Sequence, residues 1–236
     1  MEGGEGGEGG EGRLMSREAV MSAIRRSLGV TGRELPRRAA VDERIERAPK
    51  GVIPARGHGD AAQRLHVFKD MVLYSQATLA EVGSRAEVPQ AVAAFLRDHN
   101  LPSRLRSGDD PRLASLAWGN TTIELSTGRS DGSDPSAVSH ALAGVAETGT
   151  LVLASGADNP TTLNFLPDNH IVVVDARDVV PDYETMWARV RRTFGKGTMP
   201  RTLNWITGPS RSADIEQTLL LGAHGPRRLH VIVVNG

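Results

Sequence analysis

Three continuously apolar runs in the second half of the chain limit the folds that it can adopt. They have the sequences LVLA, IVVVD and LHVIVV and cover residues 151–154, 171–175 and 229–234. Strands with one solvated face alternate apolar and polar residues, whereas uninterrupted apolar runs are typical of strands buried on both faces. We therefore expect an α/β fold in which helices flank a largely parallel sheet.

The segments between these runs predict helices that alternate with strands. The predicted helices are Ser136–Ala143, Thr161–Leu166, Tyr183–Thr193 and Ala213–Leu221, and the predicted strands are Thr150–Ala154, Ile171–Asp175, Thr202–Thr207 and Leu229–Val234. Upstream, the pattern predicts helices over Gly59–Gly83 and Val88–His99 and short strands near Ser103–Arg106 and Thr121–Leu125. Because open parallel sheets bind ligands beyond the carboxyl ends of their strands, we expect a site among loops 155–160, 176–181 and 208–212.

The first 58 residues differ in composition from the rest. Residues 1–14 are rich in Glu and Gly, which predicts a disordered tail. Within residues 15–58, Ser16 is the expected N-cap of a helix that runs to Leu28, and the mixture of Gly, Pro and Arg over residues 29–57 predicts an extended arm. Residues 59–236 are then the α/β domain.

Composition excludes several classes of function. The 236 residues include no cysteine, which rules out disulfides, thiolate nucleophiles, cysteine zinc sites and iron–sulfur clusters held by cysteine. Lys+Arg and Asp+Glu both number 28, so no bulk positive charge favours nucleic acid or an anionic membrane. No apolar run approaches the ~20 residues that span a bilayer. We therefore expect a cytoplasmic protein. The seven histidines form no HExxH or HxH ligand pattern, so we also expect no metal site.

The segment TGPSRS, residues 207–212, is the first candidate site. It links a predicted strand to a predicted helix. Ser210 or Ser212 can cap that helix, and Asp214 and Glu216 suit the positive end of its dipole. This structural interpretation is sufficient by itself.

A functional interpretation of the same turn is an anion pocket. Free N–H groups at the helix start, the serine hydroxyls and Arg211 would surround the anion, although Asp214 would compete with it. Arg211 pairs either with the ligand or with Asp214 or Glu216. The nucleotide motif GxxxxGK[ST] is absent from the sequence, and no GxGxxG of the dinucleotide-binding kind follows a predicted strand.

The segment AETGT, residues 146–150, is the second candidate. It is either a tight turn in which Gly149 takes an unusual φ, or a site in which Glu147 acts as nucleophile, base or substrate-orienting group beside threonine hydroxyls. His224 lies in GAHGP, where the glycines either end a helix or give its ring access to a ligand. We expect the Glu147–Thr150 turn and the Gly208–Ser212 turn to approach each other at one edge of the sheet, with His224 close to both.

Three longer segments together resemble the lactate-utilization (LUD) domain family. They are GVAETGTLVLASG, LPDNHIVVVDARDVVP and ITGPSRSADIEQTLLLGAHGPRRLHVIVV, in the family's order and covering about Gly144 to Val234. Carried onto this sequence, the family's recurrent positions are Glu147, Thr148, Gly149, Thr150, Gly208, Pro209, Ser210, Asp214, Glu216, Gly222, His224, Gly225 and Pro226.

The resemblance implies a fold like that of the sugar-phosphate isomerase and coenzyme A transferase superfamily. It also implies a non-redox subunit of a bacterial system that oxidises L-lactate to pyruvate, with iron–sulfur clusters on partner proteins and no cofactor bound by this chain. Two alternatives stay open. One is a stand-alone enzyme that acts on a small phosphorylated or acyl substrate with Glu147 as base or nucleophile. The other is a regulatory module that binds a small carboxylate or phosphate without chemistry.

Overall fold

The computed structural model describes residues 16–213 and 219–236, and the chain divides into two units after Pro49. The first unit contains helices α1 (Arg17–Leu28) and α2 (Leu35–Arg47). Ser16 accepts a hydrogen bond from the Ala19 N–H at 3.2 Å, which confirms the predicted start of α1. The predicted tail, residues 1–14, lies outside the described residues.

Helix α2 corrects the predicted extended arm. Its sequence, LPRRAAVDERIER, is rich in the straight-chain residues and alanine that favour helices. Pro36 stands in the first turn, where its missing N–H costs nothing. Apart from Pro36 in the first turn, the Gly and Pro residues that suggested an arm lie outside the helix.

The second unit, residues 50–236, contains helices and strands in mixed order. Its helices are α3 (Ala61–Tyr74), α4 (Val88–Asp98), α5 (Pro111–Ala114) and α6 (Tyr183–Phe194). Its strands are β1 (Thr78–Val82), β2 (Arg104–Ser107), β3 (Glu124–Thr127), β4 (Ser136–His140), β5 (Ala143–Val145), β6 (Thr150–Ala154), β7 (Asn169–Asp175), β8 (Val179–Val180), β9 (Leu203–Ile206), β10 (Arg211–Ala213), β11 (Leu219–Leu221) and β12 (Arg228–Val234).

A six-stranded sheet in the order β1-β12-β7-β4-β2-β3 forms the centre of this unit, and its paired strands are all parallel. This confirms the predicted α/β fold with a largely parallel sheet flanked by helices. The chain passes from β2 outward to β3 and then returns to the opposite side of β2 for β4, β7 and β12. The strand order therefore reverses between β2 and β4.

Strands β6 and β9 correct the expectation of one continuous sheet. They belong to a second sheet, in the order β8-β5-β6-β9, in which β6 is antiparallel to both of its neighbours. Leu151 and Leu153 of β6 face one core cluster and Val152 faces another, so this strand too is buried on both faces. Burial on both faces gives the same apolar pattern in either strand direction, which is why the sequence suggested a parallel strand.

Layers of apolar side chains hold the two sheets and the helices together. Ile171 and Val173 of β7 pack towards α4 and α5, whereas Val172 and Val174 pack towards α3 and the second sheet. Helix α6 covers the far side of the second sheet through a cluster that contains Met186. The order of layers is helices, parallel sheet, α3 with the second sheet, and α6.

Strand β4 replaces the helix predicted over Ser136–Ala143. All five residues of β4 are buried, between β2 and β7. The polar residues that resembled the outer face of a helix find partners inside the protein: Ser139 contacts the His170 ring at 3.1 Å, and the His140 ring contacts the Ala141 carbonyl at 2.9 Å. Tertiary contacts therefore override the local pattern.

Two other predicted helices are shorter than expected. The helix predicted over Gly59–Gly83 ends at Tyr74, because Gln76 adopts a left-handed conformation (φ 63°) before β1 begins. The helix predicted over Thr161–Leu166 is a single 3-10 turn, Thr161–Asn164. By contrast, α4 and α6 lie within one residue of the predicted helices Val88–His99 and Tyr183–Thr193.

The helix predicted over Ala213–Leu221 is wrong where the structure describes it. Residues 211–213 and 219–221 form the antiparallel pair β10–β11, with Ser212 opposite Leu220. Residues 214–218, with Asp214 and Glu216, lie outside the described residues. A run of three leucines suits a strand as well as a helix, and periodicity over so short a segment does not distinguish them.

Candidate functional site

The two turns predicted to converge do lie together. The Thr150 hydroxyl lies 2.6 Å from the Thr207 hydroxyl, 2.7 Å from the Thr148 hydroxyl and 2.8 Å from the Tyr183 hydroxyl. Thr148, Thr207 and Arg211 also line one groove of about 460 Å³ against the end of α3. The convergence of residues 147–150 with residues 207–211 is therefore confirmed.

The reason for this convergence differs from the predicted one. Residues 147–149 precede β6 and residues 207–210 follow β9, and these strands are antiparallel neighbours in the second sheet. Residues 222–227 precede β12, so the meeting point lies at the amino edge of the parallel sheet. The expectation that the 208–212 loop lies at the carboxyl edge is wrong.

Ser210 joins this turn to the loop that carries His224. Its N–H donates to the Pro226 carbonyl at 2.8 Å, its carbonyl accepts from the Gly222 N–H at 3.0 Å, and its hydroxyl accepts from the His224 N–H at 3.2 Å. His224 is thus close to the 207–212 turn, as predicted, and that turn meets the 147–150 turn through Thr207. The expected helix cap at Ser210 or Ser212 is absent from the described residues, because strand β10 begins at Arg211. Within residues 207–213 there are, for the same reason, no free helical N–H groups of the kind predicted for the anion pocket.

We call the cavity at this edge the amino-edge pocket. It measures about 250 Å³, and it is lined by Asn164, Phe165, His170, Trp205, Ile206, Thr207, Gly208, Pro209, Ser210, Arg211, His224, Gly225, Pro226 and Leu229. Apolar walls with a few hydroxyl, imidazole and guanidinium groups are typical of small-molecule sites. Arg211 donates a hydrogen bond to the Ser75 carbonyl and is exposed, so part of its donor set faces solvent.

Two buried polar side chains lie beneath this pocket. His170 and Asn164 are both buried, the Nε2 of His170 contacts the Ser139 hydroxyl at 3.1 Å, and that hydroxyl lies 3.5 Å from the Asn164 Oδ1. The Nδ1 of His170 and the Nδ2 of Asn164 have no hydrogen-bond partner among the described residues. Burial lowers the pKa of His170 to about 3, so its ring is neutral at ordinary pH. No local pattern links these two residues, because Asn164 falls in the predicted helix Thr161–Leu166 and His170 immediately precedes the predicted strand Ile171–Asp175.

Glycines at the two turns permit close backbone contacts. Gly149 has φ 68° and Gly208 has φ 71°, a region that other residues avoid. A Cβ at Gly149 would lie 2.5 Å from the Val72 nitrogen, and one at Gly208 would lie 2.4 Å from the Ser75 carbonyl oxygen. Both turns therefore rest directly on the end of α3, and the unusual φ predicted for Gly149 is confirmed.

Glu147 lies away from the amino-edge pocket. Its carboxylate is buried, and Oε1 accepts a hydrogen bond at 3.1 Å from the Tyr183 N–H, the first residue of α6. Its Oε2 has no partner among the described residues. A carboxylate at this position satisfies a free helical N–H and interacts favourably with the helix dipole. These contacts give Glu147 a structural role, and its predicted role as base or nucleophile stays a prediction.

We expect Thr150→Val to lower the free energy of unfolding by about 1–3 kcal/mol, because one buried hydroxyl that contacts three others is lost and its partners are left without it. Urea unfolding at neutral pH measures the change. Thr121→Val is the control, since the Thr121 hydroxyl bonds only backbone groups away from this edge. An effect of Thr150→Val within experimental error of zero would show that the hydroxyl cluster does not tie the two turns together.

A second polar cluster, which the sequence did not reveal, lies at the carboxyl edge of the parallel sheet. Asp175 ends β7 and is bonded by Arg85, and His140 ends β4 with its Nε2 3.5 Å from the Asp175 carboxylate. Asp110, just beyond β2, forms a two-point ion pair with Arg112 at 2.6 and 2.9 Å. We call these five residues the carboxyl-edge cluster. Its members are far apart in sequence, so no local motif could identify it.

Burial and neighbouring charges shift the pKa values of the two aspartates in this cluster in opposite directions. Burial alone would raise the pKa of Asp110 and of Asp175, but hydrogen bonds and charge from Arg112 and Arg85 prevail, and both values lie below the usual range. Burial, followed by the charge of Arg112, lowers the pKa of His140. The cluster therefore holds two carboxylates and a neutral imidazole at neutral pH.

Within residues 16–213 and 219–236, no three His, Asp or Glu side chains are arranged to hold a metal ion. In the same part of the chain, no helix has the length and apolar character needed to cross a membrane.

Comparison with known proteins places the chain among named relatives. The LUD domain matches residues 132–234. Lactate utilization protein C of Deinococcus radiodurans is 33% identical over 205 residues, which are 84% of this chain and 91% of that protein. The proteins of the same name from Geobacillus thermodenitrificans and Bacillus subtilis are 43% and 39% identical over 91 and 92 residues. Each of these two matches spans only 38% of the relative's length.

A solved structure agrees with these matches. The crystal structure of a DUF162 family protein from Deinococcus radiodurans has a TM-score of 0.57 and 29% sequence identity, and covers 75% of this chain and 99% of that one. The similarity extends well beyond the segment that the LUD domain matches. On the strength of 33% identity over 84% of its length, the chain belongs to the LUD domain family, together with the proteins named lactate utilization protein C.

Proposed function

We propose that this protein takes part in lactate utilization, as a non-redox subunit of a bacterial iron–sulfur-dependent system that oxidises L-lactate to pyruvate. The observation that carries the proposal is the similarity to lactate utilization protein C of Deinococcus radiodurans along nearly the whole chain. A relation that includes the N-terminal half supports a shared role better than a match confined to the LUD domain would.

The absence of cysteine supports the non-redox part of the proposal. A chain without thiolates has no cysteine ligands for an iron–sulfur cluster, so electrons removed from lactate would pass to clusters on partner proteins. The oxidation of a 2-hydroxy acid to a 2-oxo acid releases two electrons and two protons, which such partners would have to accept. The contribution of this subunit is then binding or positioning.

The amino-edge pocket is the site that we assign to the small carboxylate. At about 250 Å³ it is smaller than pockets for drug-sized ligands, which suits a three-carbon acid. Arg211 offers a cation to a carboxylate, Ser210 and Thr207 offer hydroxyls, and Phe165 and Leu229 offer an apolar wall to a methyl group. This assignment retains Gly208–Arg211, His224 and Gly225 from the predicted ligand residues. It leaves out Glu147, predicted as base or nucleophile, whose buried carboxylate contacts α6 instead.

Co-purification from cells grown on L-lactate tests the subunit role. The tagged full-length protein should retain proteins that contain iron–sulfur clusters, recognised by visible absorbance and by iron and acid-labile sulfide content. Cells grown on another carbon source, and a tagged unrelated protein, are the controls. Recovery of the protein alone, from an extract that contains the iron–sulfur proteins of the lactate system, would contradict the subunit proposal.

A further inference from the structure

A second cavity lies at the opposite edge of the parallel sheet from the amino-edge pocket. It measures about 690 Å³ and is bordered by residues that follow β2, β3 and β6 and by residues that precede β9. The carboxyl ends of β2 and β3 adjoin the point where the strand order reverses between β2 and β4. Open parallel sheets bind their ligands in the crevice at such a reversal. We call this space the switch-point cavity.

Two guanidinium groups that line the switch-point cavity have no partner among the described residues. Arg129 follows β3 and Arg201 precedes β9, and within residues 16–213 and 219–236 neither forms an ion pair or a hydrogen bond. Asp109 is the one carboxylate among the lining residues that the structure describes. The cavity therefore carries excess positive charge, in a chain whose net charge is zero.

Hydroxyl groups in the same cavity have protons to donate. The Ser155 hydroxyl accepts the Thr202 N–H at 2.9 Å, and the Thr162 hydroxyl accepts the Ser130 N–H at 3.1 Å. A hydroxyl that accepts a backbone N–H still has its own proton for an acceptor on a ligand. The backbone thus orients two donors in a cavity that already contains two cations.

The wall of the cavity is held in place by backbone contacts. The Asp109 N–H donates to the Ala157 carbonyl at 3.0 Å, which joins the loop after β2 to the loop after β6. A Cβ on Gly108 would lie 2.0 Å from the Asp158 carbonyl oxygen, so the two loops touch where only glycine fits. A site held in this way does not need to be ordered by its ligand.

We propose that the switch-point cavity binds a ligand with a phosphoryl or diphosphoryl group, at a site separate from the lactate pocket. One guanidinium satisfies a carboxylate by two parallel hydrogen bonds, whereas two guanidinium groups and two hydroxyls match the larger number of terminal oxygens on a phosphoryl group. The volume leaves room for an organic portion beyond the anion. The proposal does not depend on the role in lactate utilization.

Calorimetric titration of the purified full-length chain with inorganic pyrophosphate, at fixed ionic strength, tests the proposal. We expect saturable binding of one pyrophosphate per chain, weakened about tenfold or more by Arg129→Gln and by Arg201→Gln, because each change removes a charge-assisted hydrogen bond. Arg104→Gln is the matched control: Arg104 is an exposed arginine at the amino end of β2, away from the cavity, and its loss should change the affinity less than twofold. Thermal unfolding midpoints of the variants show that each is folded.

Other outcomes would overturn the proposal. These are no saturable binding to the native chain, binding that neither cavity variant weakens, or a loss with Arg104→Gln equal to that with the cavity variants. A competition titration distinguishes the switch-point cavity from the amino-edge pocket. Excess L-lactate should leave pyrophosphate binding unchanged. Displacement of pyrophosphate by lactate would mean that both anions share one site, which would also overturn the proposal.

Discussion

Gly149→Ala is expected to lower the free energy of unfolding by about 2–5 kcal/mol, the sum of two costs. A left-handed conformation (φ 68°) costs a residue with a Cβ about 1–2 kcal/mol. The new Cβ would also lie 2.5 Å from the Val72 nitrogen and 2.6 Å from the Met71 carbonyl carbon. Both atoms belong to the backbone of α3, which cannot move aside as a flexible side chain can, and overpacking of this kind costs about 1–3 kcal/mol.

Gly132→Ala is the matched control for this prediction. Gly132 also has a positive φ (98°), but a Cβ there would meet nothing within 4 Å. Its expected cost is the conformational part alone, about 1–2 kcal/mol. Urea unfolding of both variants measures the difference. Equal losses for the two glycines would contradict the close contact between the Glu147–Thr150 turn and α3 on which the site geometry depends.

Acidification from pH 7 to pH 5 is expected to remove about 4 kcal/mol of folding stability through two buried histidines. Burial lowers the pKa of His170 to about 3; burial, aided by the charge of His99, lowers the pKa of His230 to about 4. A histidine whose pKa is lower in the folded state than in the unfolded state stabilises the fold fully above the unfolded value of about 6.5. This stability is lost as the pH falls from there towards the folded value.

The size of this effect follows from proton linkage. Each histidine takes up about one proton on unfolding between pH 6.5 and pH 5, and each pH unit then costs about 1.4 kcal/mol, or about 2 kcal/mol for each ring over this interval. His140, whose pKa burial also lowers, adds to the loss in the same direction. Asp110 and Asp175 do not contribute here, because their lowered pKa values make them sensitive to pH only below the unfolded aspartate value.

His230→Phe isolates one of the two histidines. The His230 ring stacks on Phe95 with centroids 4.2 Å apart, and a phenylalanine can keep that contact while losing the 2.8 Å contact with the Thr78 hydroxyl. Denaturant unfolding of the native chain and the variant at several pH values between 5 and 7.5 gives the proton uptake. The variant should take up about one proton fewer on unfolding. An unchanged pH dependence would show that His230 is not held neutral in the folded protein.

Part of the fold could be predicted because its signal is local. The apolar runs of β7 and β12, the helical spacing in α4 and α6 and the Ser16 cap each depend on residues close in sequence. The membership of β6 in a second sheet depends on what covers its two faces, and those residues come from distant parts of the chain. Strand β4 was missed for a similar reason, since His170 and Asn169 satisfy its serines.

The candidate site was predictable in position but not in detail. The glycines and threonines of the 147–150 and 207–212 turns identified segments that do meet, although through an antiparallel pair instead of a parallel sheet. The role of Arg211 and His224 as ligand residues stays a prediction. The carboxyl-edge cluster and the switch-point cavity are assembled from loops far apart in sequence, so only the folded chain brings them together.

Growth of a deletion strain on L-lactate tests the central claim, a role in lactate utilization, most directly. The strain should have no other route from lactate to pyruvate, and it should carry the native gene on a plasmid as a complementation control. We predict that the deletion abolishes growth on L-lactate, leaves growth on pyruvate intact, and is reversed by the plasmid. Unimpaired growth of the deletion strain on L-lactate would contradict the claim.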